Sequence, residues 1–175
     1  MTHVARNSRR AFTLVETGLA IVILATAMLA MLSAQEAFHQ QNRWGARAAD
    51  AARIGNEIRE MTMSLPIMDP VTGSATWGPE PGEVSMADWD DLDDFDGLDV
   101  SFGAGTGPLD STRSVIAHLE NWRQVVTVES VEPTNIATVV ADGTSEAVRV
   151  SVDVYWQPDI GKDELITTVT WVHVQ

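Results

Sequence analysis

Two sets of carboxylates carry most of the chemistry this sequence could perform. Glu16 is the only charged residue in an apolar run over residues 12–34. An ionised side chain at that depth in a bilayer costs several kcal/mol without a partner, so an intramembrane Glu marks a functional site by default. The second set is Asp88, Asp90, Asp91, Asp93, Asp94, Asp96 and Asp99, seven carboxylates in twelve residues. Packed together they repel, unless water solvates them or a cation is shared. Calcium takes roughly six to eight hard oxygen ligands, which an Asp-rich loop can supply. Asp90, Asp91, Asp93, Asp94 and Asp96 are the candidate ligands. The EF-hand template does not fit: with Gly97 as its glycine, its first position falls on Leu92 and its last on Gly103. A calcium loop of different spacing and a solvated acidic loop anchored by Trp89 and Phe95 therefore both stand.

Other reactive constellations are missing. There is no cysteine, hence no disulfide, thiolate metal site or thiol nucleophile. His3, His39, His118 and His173 are scattered, and none lies at metal-ligand spacing with another. Gly103-Ala104-Gly105-Thr106-Gly107-Pro108 ends in proline and precedes no helical pattern, so it reads as a turn and not as a phosphate loop. Nothing marks a base and orienter for a serine nucleophile. Trp122, Trp156 and Trp171 fall in strand-like segments and are expected in the core. The expectation is a protein that is not an enzyme.

Charge narrows the partners. Eleven basic and twenty-five acidic residues give a net charge of -14 in 175 residues. Three of the basic residues, Arg6, Arg9 and Arg10, precede Phe12, so the remainder carries eight against twenty-five, or -17. Such a surface repels phosphates, which excludes nucleic acid and anionic lipid headgroups as its partners.

The elements that must position these groups follow from periodicity. Residues 12–34 match the roughly 20 residues needed to cross a hydrocarbon core. Arginines before the run and none just after it predict a single-pass helix with a cytoplasmic N-terminus and an exported C-terminal part. No small-x-small cleavage site follows the run, which argues for a retained anchor. Helical periodicity continues past it until Leu65-Pro66 supplies a stop. The predicted helix spans residues 12–63, with Gly45 and Gly55 as points that could bend it. Ala27, Ala30, Ala34 and Ala37 form a stripe that would admit a second helix, although alanine is also simply a good helix former. Residues 66–113 are rich in Pro, Gly and Asp but carry enough aromatics to predict an ordered loop. Residues 122–131, 147–156 and 164–174 alternate as strands, the last two joined by the turn Gln157-Pro158-Asp159-Ile160-Gly161-Lys162. One face of this antiparallel sheet is apolar and needs a cover, for which the exported half of the helix is the candidate.

The segment Arg9-Arg10-Ala11-Phe12-Thr13-Leu14-Val15-Glu16, followed by an apolar run, resembles the N-terminal processing motif of type IV pilins and type II secretion pseudopilins. The resemblance implies cleavage by a prepilin peptidase between Ala11 and Phe12, N-methylation of the new Phe12 terminus, and an assembly role for Glu16 as the fifth mature residue. The family's usual Gly before the cut is Ala11 here, and the C-terminal disulfide loop common among pilins cannot form. Residues 89–97 resemble a stretch of PilV-type minor pilins. Some pseudopilins hold calcium in a loop near the sheet, so the resemblance also admits calcium as a cofactor.

The expected architecture is α+β and pilin-like: a leader at 1–11, a transmembrane half-helix at 12–34, an exported half-helix at 35–65, an acidic loop region at 66–113 and a three- to four-stranded antiparallel sheet at 114–175. The function implied is a minor pilin or pseudopilin in a type IV pilus or type II secretion filament. Its partners would be the prepilin peptidase, other pilin or pseudopilin subunits and an inner-membrane assembly platform protein. A bacterial inner-membrane location before assembly follows. The alternative is a permanently membrane-anchored periplasmic binding module that uses the acidic loop or the aromatics. Glu16 has an alternative too: near the helix start, it could reach back to the cytoplasmic headgroups.

Overall fold

The computed structural model describes residues 13–71, 73, 76–159 and 161–174. Ala11 and Phe12, on which the expected cleavage and methylation fall, lie outside the described residues. The chain divides into two compact units between Gly45 and Ala46, taken here in turn.

The first unit contains the start of helix α1 (Leu14–Thr62). Thr13 precedes it as a cap, its Oγ1 accepting the N–H of Glu16 at 3.3 Å. Thr-x-x-Glu at a helix start is the capping-box pattern, and it satisfies a donor that has no partner inside the helix. The most apolar 18-residue window of α1 has a mean hydropathy of 2.1, and none of it is buried within the protein. This helix is long and apolar enough to cross a membrane. Its hydroxyls bond inward: Thr17 to the carbonyl of Thr13 at 2.9 Å, Thr26 to that of Val22 at 3.0 Å, and Ser33 to that of Leu29 at 3.0 Å. Such back-bonding removes the need for water around a hydroxyl in an apolar run. Ala27, Ala30, Ala34 and Ala37 are all helical and exposed.

The second unit is built on a five-stranded antiparallel sheet: β1 (Asp99–Ser101), β2 (Trp122–Glu132), β3 (Asn135–Val139), β4 (Ala147–Asp159) and β5 (Lys162–Val174). The order is β1-β2-β4-β5, with β3 paired to one end of β2. The sheet is larger than the three to four strands expected because β1 and β3 are too short, and β3 too exposed, to write an alternating pattern. β1 lies inside residues 66–113, in the stretch read as loop. The three long strands alternate as their sequences require. Val148, Val150, Val152 and Val154 of β4 are buried while Arg149, Ser151 and Asp153 turn outward. On that outer face Arg149 stands opposite Glu129 of β2, and their side chains pair at 2.6 Å.

The last part of α1 covers the apolar face. Ala51, Ile54, Ile58 and Met61 recur at helical spacing and join the valines of β4, together with Trp122, Val126 and Val128 of β2, in one core. Trp122 meets Trp156 edge to face, with ring centroids 5.1 Å apart, and Arg47 lies over the Trp156 ring at 4.5 Å. Trp171 also packs on this core. Gln124, fully buried between the layers, is satisfied on both sides. Its Oε1 accepts the N–H of Leu109 at 2.7 Å, and its Nε2 donates to the carbonyl of Ile54 at 3.0 Å. The loop region contributes Ile67, Leu92, Phe95, Leu98, Val100 and Leu109 to the same core.

Helix and sheet approach each other closely at Gly55. A Cβ there would lie 2.5 Å from Cγ2 of Val169 and 3.2 Å from its Cβ. Replacing an interior helical glycine by alanine ordinarily gains about 1 kcal/mol. Here the added methyl meets a β-branched side chain with little rotamer freedom. Gly55→Ala is expected to lower stability by about 1–3 kcal/mol, the range for overpacked cores. The urea midpoint of the detergent-solubilised chain, followed by tryptophan fluorescence, measures this; a raised midpoint would mean that β5 yields at no cost.

Candidate functional site

Glu16 sits in the first turn of α1, exposed, where a negative charge is favoured by the helix dipole. Its backbone N–H is held by Thr13, so its side chain is carried on a capped, ordered turn. Phe12, which the resemblance makes the new N-terminus, lies outside the described residues.

The acidic stretch is organised by a single 3-10 turn, Asp93–Phe95. In such a turn residues three apart share a face. Leu92 and Phe95 take the inward face and are fully buried, and the Phe95 ring meets Trp89 edge to face at 5.0 Å. That plug is tied at both ends. The N–H of Leu92 donates to the carbonyl of Pro66 at 3.0 Å, and the N–H of Gly97 donates to that of Val126 at 3.1 Å. Anchoring Leu92 and Phe95 pulls the carboxylates between them out of water. Asp91 and Asp94 are each 1% exposed and Asp93 is 2% exposed. Trp89 and Phe95 therefore anchor the loop as expected, but its central carboxylates are not solvated.

Period three also sorts the aspartates into two roles. Asp93 and Asp96 face the Trp77-Gly78 segment. Asp93 Oδ2 accepts the N–H of Gly78 at 3.1 Å, and Asp96 Oδ2 accepts Nε1–H of Trp77 at 3.2 Å. The other oxygen of Asp96 accepts the N–H of Val128 at 2.8 Å, which holds the loop to β2. Asp91 and Asp94 lie on another face. Asp94 Oδ2 accepts the N–H groups of Asp90 and Asp91 at 3.0 and 3.2 Å, and Asp91 Oδ1 accepts that of Asp94 at 3.3 Å. Their remaining oxygens, Asp91 Oδ2 and Asp94 Oδ1, are buried without a hydrogen-bond partner, as is Asp93 Oδ1.

Around these oxygens the fold gathers two groups, Glu80 with Asp91 and Asp94, and Glu83 with Asp90 and Asp94. Within each group, one carboxylate oxygen per residue lies within 4.8 Å of the others. Of the five aspartates expected as ligands, the fold thus brings together Asp90, Asp91 and Asp94, and leaves Asp93 and Asp96 to hold the loop. Glu80 and Glu83 were not singled out from the sequence because they lie upstream of the Asp run. They are delivered by their own turn, in which the N–H of Glu80 donates to Glu83 Oε2 at 3.0 Å. The spacing of Asp91 and Asp94 was the legible signal, since three-residue periodicity puts both on one side of a 3-10 turn.

The electrostatic result is a set of acids that resist ionisation. Burial, reinforced by the neighbouring carboxyls of Asp93 and Asp94, pushes Asp91 up to about 9. Burial also raises Asp94, to about 6, against the opposing effect of the N–H groups of Asp91 and Asp90. Burial raises Asp90 too, helped by Asp69 and Glu83. Arg113 lies over the Phe95 ring at 5.5 Å but donates to the carbonyls of Met86 and Trp89. Compared with family models, curated proteins and solved structures, the chain finds no match.

These shifts fix a sign. Both carboxyls keep their protons to higher pH in the fold than in the unfolded chain, where Asp ionises near 4. Without divalent cations the unfolded state loses its protons first, so their contribution to stability falls as pH rises from about 4. The fall extends through about 6 for Asp94 and toward about 9 for Asp91. In chelator, the thermal midpoint is expected to be higher near pH 5 than near pH 8. Asp91→Asn, which cannot ionise, should flatten that slope and raise the midpoint at the higher pH. Identical pH profiles for the two proteins would show that Asp91 ionises normally in the fold.

Proposed function

We propose that this chain is a non-enzymatic filament subunit of the pilin or pseudopilin kind. In this reading it is held in the bacterial inner membrane by α1, cut between Ala11 and Phe12 on the cytoplasmic side, and assembled with other subunits through the same helix. The observation that carries the reading is the sequence Arg9-Arg10-Ala11-Phe12-Thr13-Leu14-Val15-Glu16 at the head of a helix whose apolar window is wholly unburied. A helix that apolar must be covered by lipid or by other helices. Its continuation past Gly45 into a part that covers a sheet gives the molecule an anchor and an exported domain in one element.

Glu16 supplies the logic of assembly. In hydrocarbon its carboxylate needs a cation. Cleavage before Phe12 creates one, an α-amino group about one helical turn away in sequence. In a filament the amine of one subunit can meet Glu16 of its neighbour, and a buried pair that sets register is the best-attested use of such pairs. Processing then becomes a condition for assembly, because the cation exists only after proteolysis.

Glu16→Ala is expected to leave membrane insertion unchanged while reducing recovery in sheared filaments by more than about a hundredfold, since an uncompensated buried charge costs roughly 3 kcal/mol or more. In the same preparation, N-terminal mass spectrometry should find a start at Phe12 bearing a methylated amine. Normal incorporation of the mutant would sink the role given to Glu16. An intact Met1 terminus would favour the permanently anchored binding module instead.

A further inference from the structure

The buried carboxylates of the acidic loop are hard to explain as structure alone. Asp91 and Asp94 are each 1% exposed, and each presents one oxygen without a hydrogen-bond partner. An unsatisfied buried polar atom costs about 1–3 kcal/mol, more when charged. The sequence could have avoided this cost, because Leu92 and Phe95 alone plug the core. None of the described ion pairs reaches Asp90, Asp91, Asp93 or Asp94. Arg113, packed over the Phe95 ring, is committed to two backbone carbonyls.

We propose that Glu80, Asp91 and Asp94 bind a calcium ion that fastens the Glu80–Glu83 turn to the 3-10 turn Asp93–Phe95. The geometry favours this cation. Calcium–oxygen distances of about 2.3–2.6 Å place two ligands on one ion no more than about 4.6–5.2 Å apart. The three carboxylate oxygens already lie within 4.8 Å of one another. Magnesium dehydrates reluctantly and is ordinarily held by one or two carboxylates with several waters, so three gathered protein carboxylates suit it less. Asp91 Oδ2 and Asp94 Oδ1 lack a hydrogen-bond partner and are free to serve as ligand atoms, while the other oxygen of each accepts from backbone N–H groups. Those N–H groups orient the carboxylates, as hydrogen-bond donors behind the ligands commonly do in metal sites.

Glu83 and Asp90 form the outer part of the site. They share Asp94 with the inner group, but Asp90 is exposed and Glu83 half-buried. They draw the cation in and leave room for water ligands, which calcium usually keeps. The remaining acids of the stretch have other tasks. Asp96 is consumed by Trp77 and Val128, and Asp88 accepts from Ser85 at 2.8 Å. The proposal does not depend on how the chain assembles, so it stands or falls separately from the filament reading.

The full chain in detergent, stripped with chelator, supplies the test. Titration with calcium chloride should release or absorb heat with one ion per chain and raise the thermal midpoint, whereas magnesium at equal concentration should do neither. Terbium should bind in the same place and be excited through Trp77 and Trp89, with calcium quenching the emission by displacement. Asp94→Asn should weaken calcium binding at least about tenfold, and Glu80→Gln, on the separate turn, should do the same if Asp94→Asn fails to fold. Asp88→Asn, in the same acidic run but outside the group, should bind as the parent does. No midpoint shift at millimolar calcium, an equal response to magnesium, or equal losses in Asp88→Asn and Asp94→Asn would each overturn the site.

Discussion

One face of the β2–β4–β5 sheet is a continuous wall of valine and tryptophan, and everything in the second unit follows from the need to keep water off it. Val148, Val150, Val152 and Val154 put four β-branched side chains in a row on β4. A helix can cover such a wall only if it brings a stripe of matching shape. The last turns of α1 do so with Ala51, Ile54, Gly55 and Ile58, Gly55 lying where an added methyl would meet the side chain of Val169. Gln124 adds a fully buried polar tie between layers. It links β2 to the helix carbonyl of Ile54 and to the loop at Leu109, and so fixes where the cover sits as well as that it sits there. Where shape alone would tolerate sliding, a buried amide with both ends satisfied does not.

The same need explains the acidic loop. Leu92 and Phe95 fill the part of the core that the helix does not reach, and the chain between them carries aspartates. Hydrophobic anchoring at two points therefore forces Asp93 and Asp94, together with Asp91 just before Leu92, into a nearly dry environment. Two outcomes satisfy the physics of such a group: the acids take up protons, or a cation joins them. The unoccupied oxygens and their spacing fit calcium, and the backbone donors hold the carboxylates in place for it. The loop is thus not a passive connection between helix and sheet. It is the third layer of the domain, held by Trp77, Asp96 and Val128 on one side and by Pro66 on the other.

The apolar beginning of α1 is governed by a different constraint. Here no sheet supplies the cover, and the side chains face outward on every side. Hydroxyls that would otherwise seek water are folded back onto the helix carbonyls, and Thr13 caps the first turn. In this setting Glu16 is the exception that organises the proposed function. It is compatible with a helix N-terminus as a local feature, and in hydrocarbon it demands a positive partner.

Much of this was legible in the sequence because it rests on short-range periodicity. The long helix, its stop before Pro66, the inward valines of β4, the turn between the last two strands and the α+β class all follow from patterns within a few residues of each other. The short strands β1 and β3 were not legible, since three and five residues are too few to write an alternation. The candidate site was half legible. Asp90, Asp91 and Asp94 stand out by composition, but composition could not say that Asp96 is spent on Trp77 and Val128. Nor could it bring Glu80 and Glu83 beside Asp94, or reveal that Gln124 is a core residue. Sequence alone determined which segments are apolar, helical or strand-like, because those properties are local. Only the tertiary structure decided which carboxylates lose their water, because burial depends on what the neighbouring hydrophobic anchors pull inward.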